Sequence, residues 1–234
     1  MASAKNTFWN RTKFLWIGGI IGVAQQLLGR LDFYLYRGHD VFSFSGIFGL
    51  LSFYAMFILI IMKRDVPAKQ QFKDLFLFFL GLDFFYYLYV FVLELAKYLL
   101  MDTHPDALSL YFTNSLSETI DFVKWTLIGT AAGLWVACAT KCRAQNKRVL
   151  FWLMVAPLFA VILFELVLYS FSLYNYIMQE YRRFNDLPLP ENSFYCCQIS
   201  QLLTALTALI VSLRLYLHQK PAFPIRRIRT GVPA

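Results

Sequence analysis

Six apolar runs, each about as long as a helix needs to cross a bilayer, divide this sequence. A helix spans the hydrocarbon core with roughly 20 predominantly apolar residues. Runs of that kind lie at about 14–32, 43–62, 75–100, 119–140, 149–177 and 194–217. They predict an all-α, polytopic integral membrane bundle of about six helices, a single domain over residues 1–217 followed by a basic tail over 218–234. The third and fifth runs exceed the minimum, so tilt or protrusion is expected of them. The first run continues from Phe14 to Leu28 without a small-residue cleavage site, which predicts a retained helix rather than a removable leader.

Composition supports lipid as the solvent. The chain is 59% hydrophobic and 15% charged, where soluble domains carry about a quarter charged residues. A water-soluble fold of this length leaves roughly a third of its surface exposed, too much to hide so apolar a sequence.

Orientation follows from the basic residues. Lys5, Arg11 and Lys13 precede the first run, and Lys63, Arg64, Lys69 and Lys73 follow the second. Lys141, Arg143, Lys147 and Arg148 join the fourth run to the fifth, and Arg214, Lys220, Arg226, Arg227 and Arg229 close the sequence. With six crossings these regions share one side, and they hold 16 of the 22 basic residues. Both termini are therefore expected on the cytoplasmic side, in a plasma (cytoplasmic) membrane. The opposite connections differ in kind: residues 101–118 contain no Lys or Arg, and 178–193 contain only Arg182 and Arg183 beside Glu180, Asp186 and Glu191. The net charge of +8 is spread through membrane-flanking clusters rather than gathered on one arm, so no nucleic-acid partner is expected. The tail KPAFPIRRIRTGVPA fits either a segment lying against anionic lipid or a docking peptide for a cytoplasmic partner. Asn10-Arg11-Thr12 matches a glycosylation acceptor, yet this topology keeps it cytoplasmic and bare.

Ionisable groups within spans are costly and face the bundle interior or water. In the third run Asp83, Tyr87, Glu94 and Lys97 fall along one helical stripe. The fifth repeats the design with Glu165, Tyr169, Ser172 and Tyr176; Glu165, near mid-span, is the most expensive group to leave unpaired. Glu118, Asp121 and Lys124 open the fourth run, the first contributes Gln25, Gln26, Arg30 and Asp32, and the sixth Gln198, Gln201 and Thr204. Under the expected topology nearly all of these lie in the outer half, with Asp83 the exception toward the cytoplasmic half. That asymmetry predicts an outward-facing polar pocket with Arg30, Glu94, Lys97, Asp121, Glu165, Tyr169 and Gln201 as ligand-binding candidates. The competing reading is that these groups pair among themselves, for example Arg30 with Glu94 or Asp121, and only fix the helices. Gly129 and Gly133 form a GxxxG spacing that predicts close helix packing.

Recognisable chemistry is missing. The sequence has no Gly-x-Ser-x-Gly nucleophile, no His-Glu-x-x-His helix and no P-loop. His39, His104 and His218 sit in connections or at a helix end, and although His39 beside Asp40, and His104 beside Asp102 and Asp106, suit a metal, such groupings are ordinary at a surface. Cys138 and Cys142 are one helical turn apart with no further ligand nearby, and adjacent Cys196 and Cys197 cannot readily bridge each other. No cofactor, metal or catalytic residue is expected. The sequence thus points to a small transport component that binds a solute or lipid and works with a membrane-protein partner or as a homo-oligomer. A non-catalytic assembly subunit is the alternative, and an intramembrane enzyme acting on a lipid head group a second one.

Overall fold

The computed structural model describes residues 2–36, 45–100, 107–185, 187 and 199–218; the side chains of 2–11, 33–36, 45, 94, 98, 99, 107–114 and 218 lie outside that description. Among the described residues the regular structure is entirely helical: α1 (Ala2–Tyr36), α2 (Leu51–Lys63), α3 (Ala68–Leu100), α4 (Ala107–Ala144), α5 (Arg148–Phe184) and α6 (Ile199–Leu213), with a 3-10 turn at Ser45–Ile47 and a π-helical turn at Arg214–His218. Five of these helices are long and apolar enough to cross a membrane, over Thr12–Asp32, Ala68–Lys97, Ser115–Ala144, Arg148–Phe184 and Ile199–Leu217.

The second apolar run departs from expectation. Its helix covers 13 residues rather than the whole of 43–62, about 20 Å of rise against a hydrocarbon core of about 30 Å. Residues 43 and 44 lie outside the described residues. Hydropathy counts Phe44 and Phe48 as span-forming, but Gly46 and Gly49 beside them disfavour a helix by about 1 kcal/mol each.

Helix directions show that this short segment still returns the chain. Gly18 of α1 packs on Phe78 and Leu82, and Gly22 on Leu82 and Tyr86, so α1 and α3 run parallel. α2 starts against Glu165 of α5 and ends against Arg143 of α4, so it runs back toward the end where α1 and α3 begin. α4 runs antiparallel to α3, since Gly133 meets Phe72 and Gly129 meets Phe79, while Phe122 lies edge-on to Tyr87 at 6.0 Å. Tyr216, past the end of α6, packs on Phe151 and Phe159 near the start of α5. The starts of α1, α3 and α5 and the ends of α2, α4 and α6 hence gather at one end of the bundle. Lys13, Lys63, Arg64, Lys69, Lys73, Lys141, Arg143, Lys147, Arg148 and Arg214 all belong to that basic end.

Close approach of α1 to α3 depends on glycine. A Cβ on Gly18 would run into the Phe78 carbonyl, and one on Gly81 into the carbonyl of Leu15. Gly18 and Gly22 have the same spacing as Gly129 and Gly133, and Gly129 and Gly133 lie against Phe79 and Phe72 of α3. Toward the basic end Leu59, Ile61, Met62, Leu75, Phe78, Val136, Phe151 and Val155 form the continuous core, where the rings of Phe57 and Phe78 stack at 3.9 Å. The connection from α4 to α5 turns on Asn146, the non-glycine residue with a φ of 58°, a conformation asparagine tolerates at helix ends. The Lys147 amide there donates to the Cys142 carbonyl at 2.9 Å.

Candidate functional site

Two ionic side chains hold the ends of α2. Leu50, at its N-cap, is an apolar residue that offers no side-chain cap to the first amides. The Glu165 carboxylate supplies it from α5, accepting hydrogen bonds from the Leu51 amide at 2.9 Å and the Ser52 amide at 2.8 Å. Glu165 is 6% exposed, so its charge is balanced by these donors and by the positive end of the helix dipole. At the other end Arg143 of α4, 7% exposed, donates through Nη1 to the Met62 and Lys63 carbonyls, both at 3.1 Å, and through Nη2 to the Arg64 carbonyl at 2.8 Å. Those carbonyls are ones that a helix end leaves unpaired.

A polar layer surrounds the Arg143 clamp. Gln71 donates to the Arg64 carbonyl at 2.6 Å, and its side-chain oxygen accepts from the Thr140 hydroxyl. Asp74 pairs with Arg64 and accepts from Gln70 at 2.5 Å. The Tyr216 hydroxyl donates to the Leu59 carbonyl at 3.2 Å. Burial, with the Arg143 guanidinium nearby, pushes the Lys63 ammonium below its ordinary value. From sequence alone Arg64 and Arg143 read only as topogenic charges, and Asp74, Gln71 and Thr140 do not stand out. The Arg-Asp-x-Pro junction between two apolar runs, with an acid about two helical turns into the next helix, is the available signal.

The second feature is a seam of acids and aromatic residues along α3 and α4, bordered by α1. Measured from the Gln71–Thr140 contact, Asp83 stands about 18 Å and Glu118 about 33 Å along their helices. Glu118 and Asp121 lie at the outer end of the seam, near enough for their charges to reach Tyr86 and Tyr87 respectively. The Tyr86 hydroxyl shares a hydrogen bond with Gln26 of α1. Deeper in, Asp83 is 3% exposed and its Oδ2 has no hydrogen-bond partner. Thr126 of α4 also carries a buried hydroxyl oxygen with no partner. The two residues share a level, because Phe79 packs on Gly129 on one side of them and Tyr87 on Phe122 on the other.

The remaining candidates are distributed rather than gathered. Tyr87 belongs to the seam. Asp121 pairs with Lys124 on its own helix at 2.8 Å, an exposed contact. Arg30 is exposed and lies over the Tyr89 ring, 5.7 Å from its centre. Lys97 is exposed on α3. Tyr169 is half-buried one turn beyond Glu165 on α5, and Gln201 is half-buried on α6, away from the seam. Glu94 contributes backbone to α3, but its side chain lies outside the described residues, as do His39, Asp40, Asp102, His104, Asp106, Cys196, Cys197, Gln198 and the tail beyond 218. Cys138 and Cys142 are free thiols. Among the described residues no group of three or more His, Cys, Asp or Glu is placed to hold a metal.

Compared with protein-family models, curated proteins and solved structures, the chain shows no significant match.

Proposed function

We propose that this chain is a membrane transport component whose α1–α3–α4 seam takes a solute from the side opposite the basic end, in company with a partner subunit. The bundle lies in the plasma membrane with its basic end cytoplasmic, since cationic clusters favour that side. The observation that carries the reading is the orphaned Asp83 carboxylate at the bottom of the seam. Other buried ionic side chains of the bundle, Glu165, Arg143 and Asp74, are consumed by structural contacts. Asp83 is not so consumed, and an intramembrane acid without a structural task marks a pathway or a binding point. With Glu118 further out and Asp121 already paired with Lys124, the seam favours a cationic or hydrogen-bonding solute over an anionic one through Asp83 and Glu118.

Equilibrium binding of a panel of amines, sugars and amino acids to purified protein tests this, with Tyr86→Phe and Glu118→Gln as variants. The reading expects at least one solute whose affinity falls about tenfold or more in either variant. It is overturned if every solute bound by the parent binds both variants equally.

One observation favours an assembly subunit as a second reading. α5 is 37 residues long, about 55 Å, well beyond a bilayer core of about 30 Å. Its last turns expose Tyr174, Ile177, Tyr181 and Phe184, where an upright helix would meet water. Copurification in mild detergent separates the readings: a stoichiometric protein partner lost on Tyr181→Asp favours assembly.

A further inference from the structure

The level shared by Asp83 and Thr126 has a donor set with a definite ligand preference. Asp83 is almost completely buried, and its Oδ2 is unpartnered. The Thr126 hydroxyl, facing the same level from α4, is buried and unpartnered as well. Tyr54 reaches this level from α2: its ring lies 5.8 Å from that of Phe79, one turn before Asp83, and it is close enough to feel the carboxylate's charge. Tyr86 and Tyr87 stand one turn further out on α3, with Gln26 of α1 on Tyr86 and Glu118 and Asp121 beyond. No Lys or Arg side chain is recorded against Asp83 among the described residues.

Two buried oxygens on facing helices, each lacking a partner, each carry a desolvation cost of about 1–3 kcal/mol or more. A shared ligand that accepts electron density from both removes it. All the donors at this level are hard oxygens, which suits alkali or alkaline-earth cations over transition metals. A single carboxylate neutralises one positive charge, and a divalent ion there would leave a net charge in a low-dielectric interior. We propose that Asp83 and Thr126 form a binding site for one alkali cation, sodium-sized, that keeps water as its remaining ligands and is reached through the seam; this deepens the transport reading and rests on it for the route of entry. In that role the bound cation would couple to solute binding above it, each favouring the other by the same factor.

Thermal unfolding of the purified full chain, followed by tryptophan fluorescence in sodium chloride or in choline chloride of equal ionic strength, tests the site without any solute. A cation at about five times its Kd raises Tm by about 2–4 °C in a chain of this size. The proposal expects that rise in sodium for the parent and for Glu180→Gln, at an exposed acid of α5 outside the seam, a smaller one for Thr126→Val, and none for Asp83→Asn. Asp83→Asn keeps the size and shape of a buried side chain that makes no structural contact and is expected to fold. The site is overturned if the parent shows no sodium-specific rise, if the rise persists in Asp83→Asn, or if stability depends on pH alone with no response to sodium. Loss of the sodium effect with solute binding intact refutes the site alone, and the converse refutes only the solute reading.

Discussion

The carboxylate of Glu165, on α5, accepts the first backbone amides of α2 from Leu51 at 2.9 Å and from Ser52 at 2.8 Å. An acid expensive to bury and a helix too short to span are thus one feature: the helix starts part-way through the bundle because a carboxylate is there to receive it. Glu165→Ala leaves buried amides without acceptors and is expected to destabilise the fold by about 2–4 kcal/mol. Glu165→Gln keeps an acceptor but loses the charge and should cost about half as much. Denaturation in detergent measures both, and equal stability of Glu165→Ala and parent would refute the cap.

Arg143 closes the opposite end of the same helix through three carbonyls, the longest contact being 3.1 Å. Lysine keeps the charge but lacks the planar fork. Arg143→Lys is therefore expected to lose about 1–3 kcal/mol and Arg143→Met more, because the latter leaves the Met62, Lys63 and Arg64 carbonyls unpaired. An Arg143→Lys variant as stable as the parent would show that charge, not the planar fork, sets the contribution.

Neighbouring glycines of α1 should respond differently to one methyl group. A Cβ on Gly18 meets backbone of α3, whereas one on Gly19 meets the Phe85 ring. A ring can turn aside and a helix backbone cannot, so Gly18→Ala is expected to cost about 1–3 kcal/mol and Gly19→Ala less than 1 kcal/mol. Unfolding midpoints of the two variants check the ordering.

The shared basic end predicts topology. Single cysteines placed at Lys69 and at Gln145, in a chain whose native cysteines are replaced by serine, should react with a membrane-impermeant maleimide only from the cytoplasmic side. Reaction of the two from opposite sides would break the antiparallel relation of α3 and α4.

Much of this architecture was legible in the sequence. Runs of apolar residues separated by basic clusters require helices with a fixed alternation, and the gathered ends of the bundle follow that alternation. Gly129 and Gly133 were legible for the same reason, since their spacing fixes a face. The shortness of α2 was not, because hydropathy weighs Phe44 and Phe48 without registering that Gly46 and Gly49 disfavour a helix, or that Glu165, more than a hundred positions away, caps what remains. Helical phase likewise placed Asp83 and Tyr87 on one stripe, but the facing Thr126 depends on the α3–α4 register, a tertiary fact. Gln71, Asp74 and Arg143 looked like ordinary flanking polar residues until the turn after α2 brought them together.

The central claim is that the seam between α3 and α4 admits water and solute from the side opposite the basic end. Cysteine accessibility measures it directly. Tyr86→Cys and Phe122→Cys, in the background lacking native cysteines, line the seam, while Leu127→Cys, at a position 63% exposed on the outer surface of α4, faces lipid. A charged, membrane-impermeant methanethiosulfonate added from that side is predicted to modify the two seam positions at least about tenfold faster than Leu127→Cys, since the charged reagent does not enter hydrocarbon. Seam positions that stay unmodified, or that react no faster than Leu127→Cys, would contradict the account.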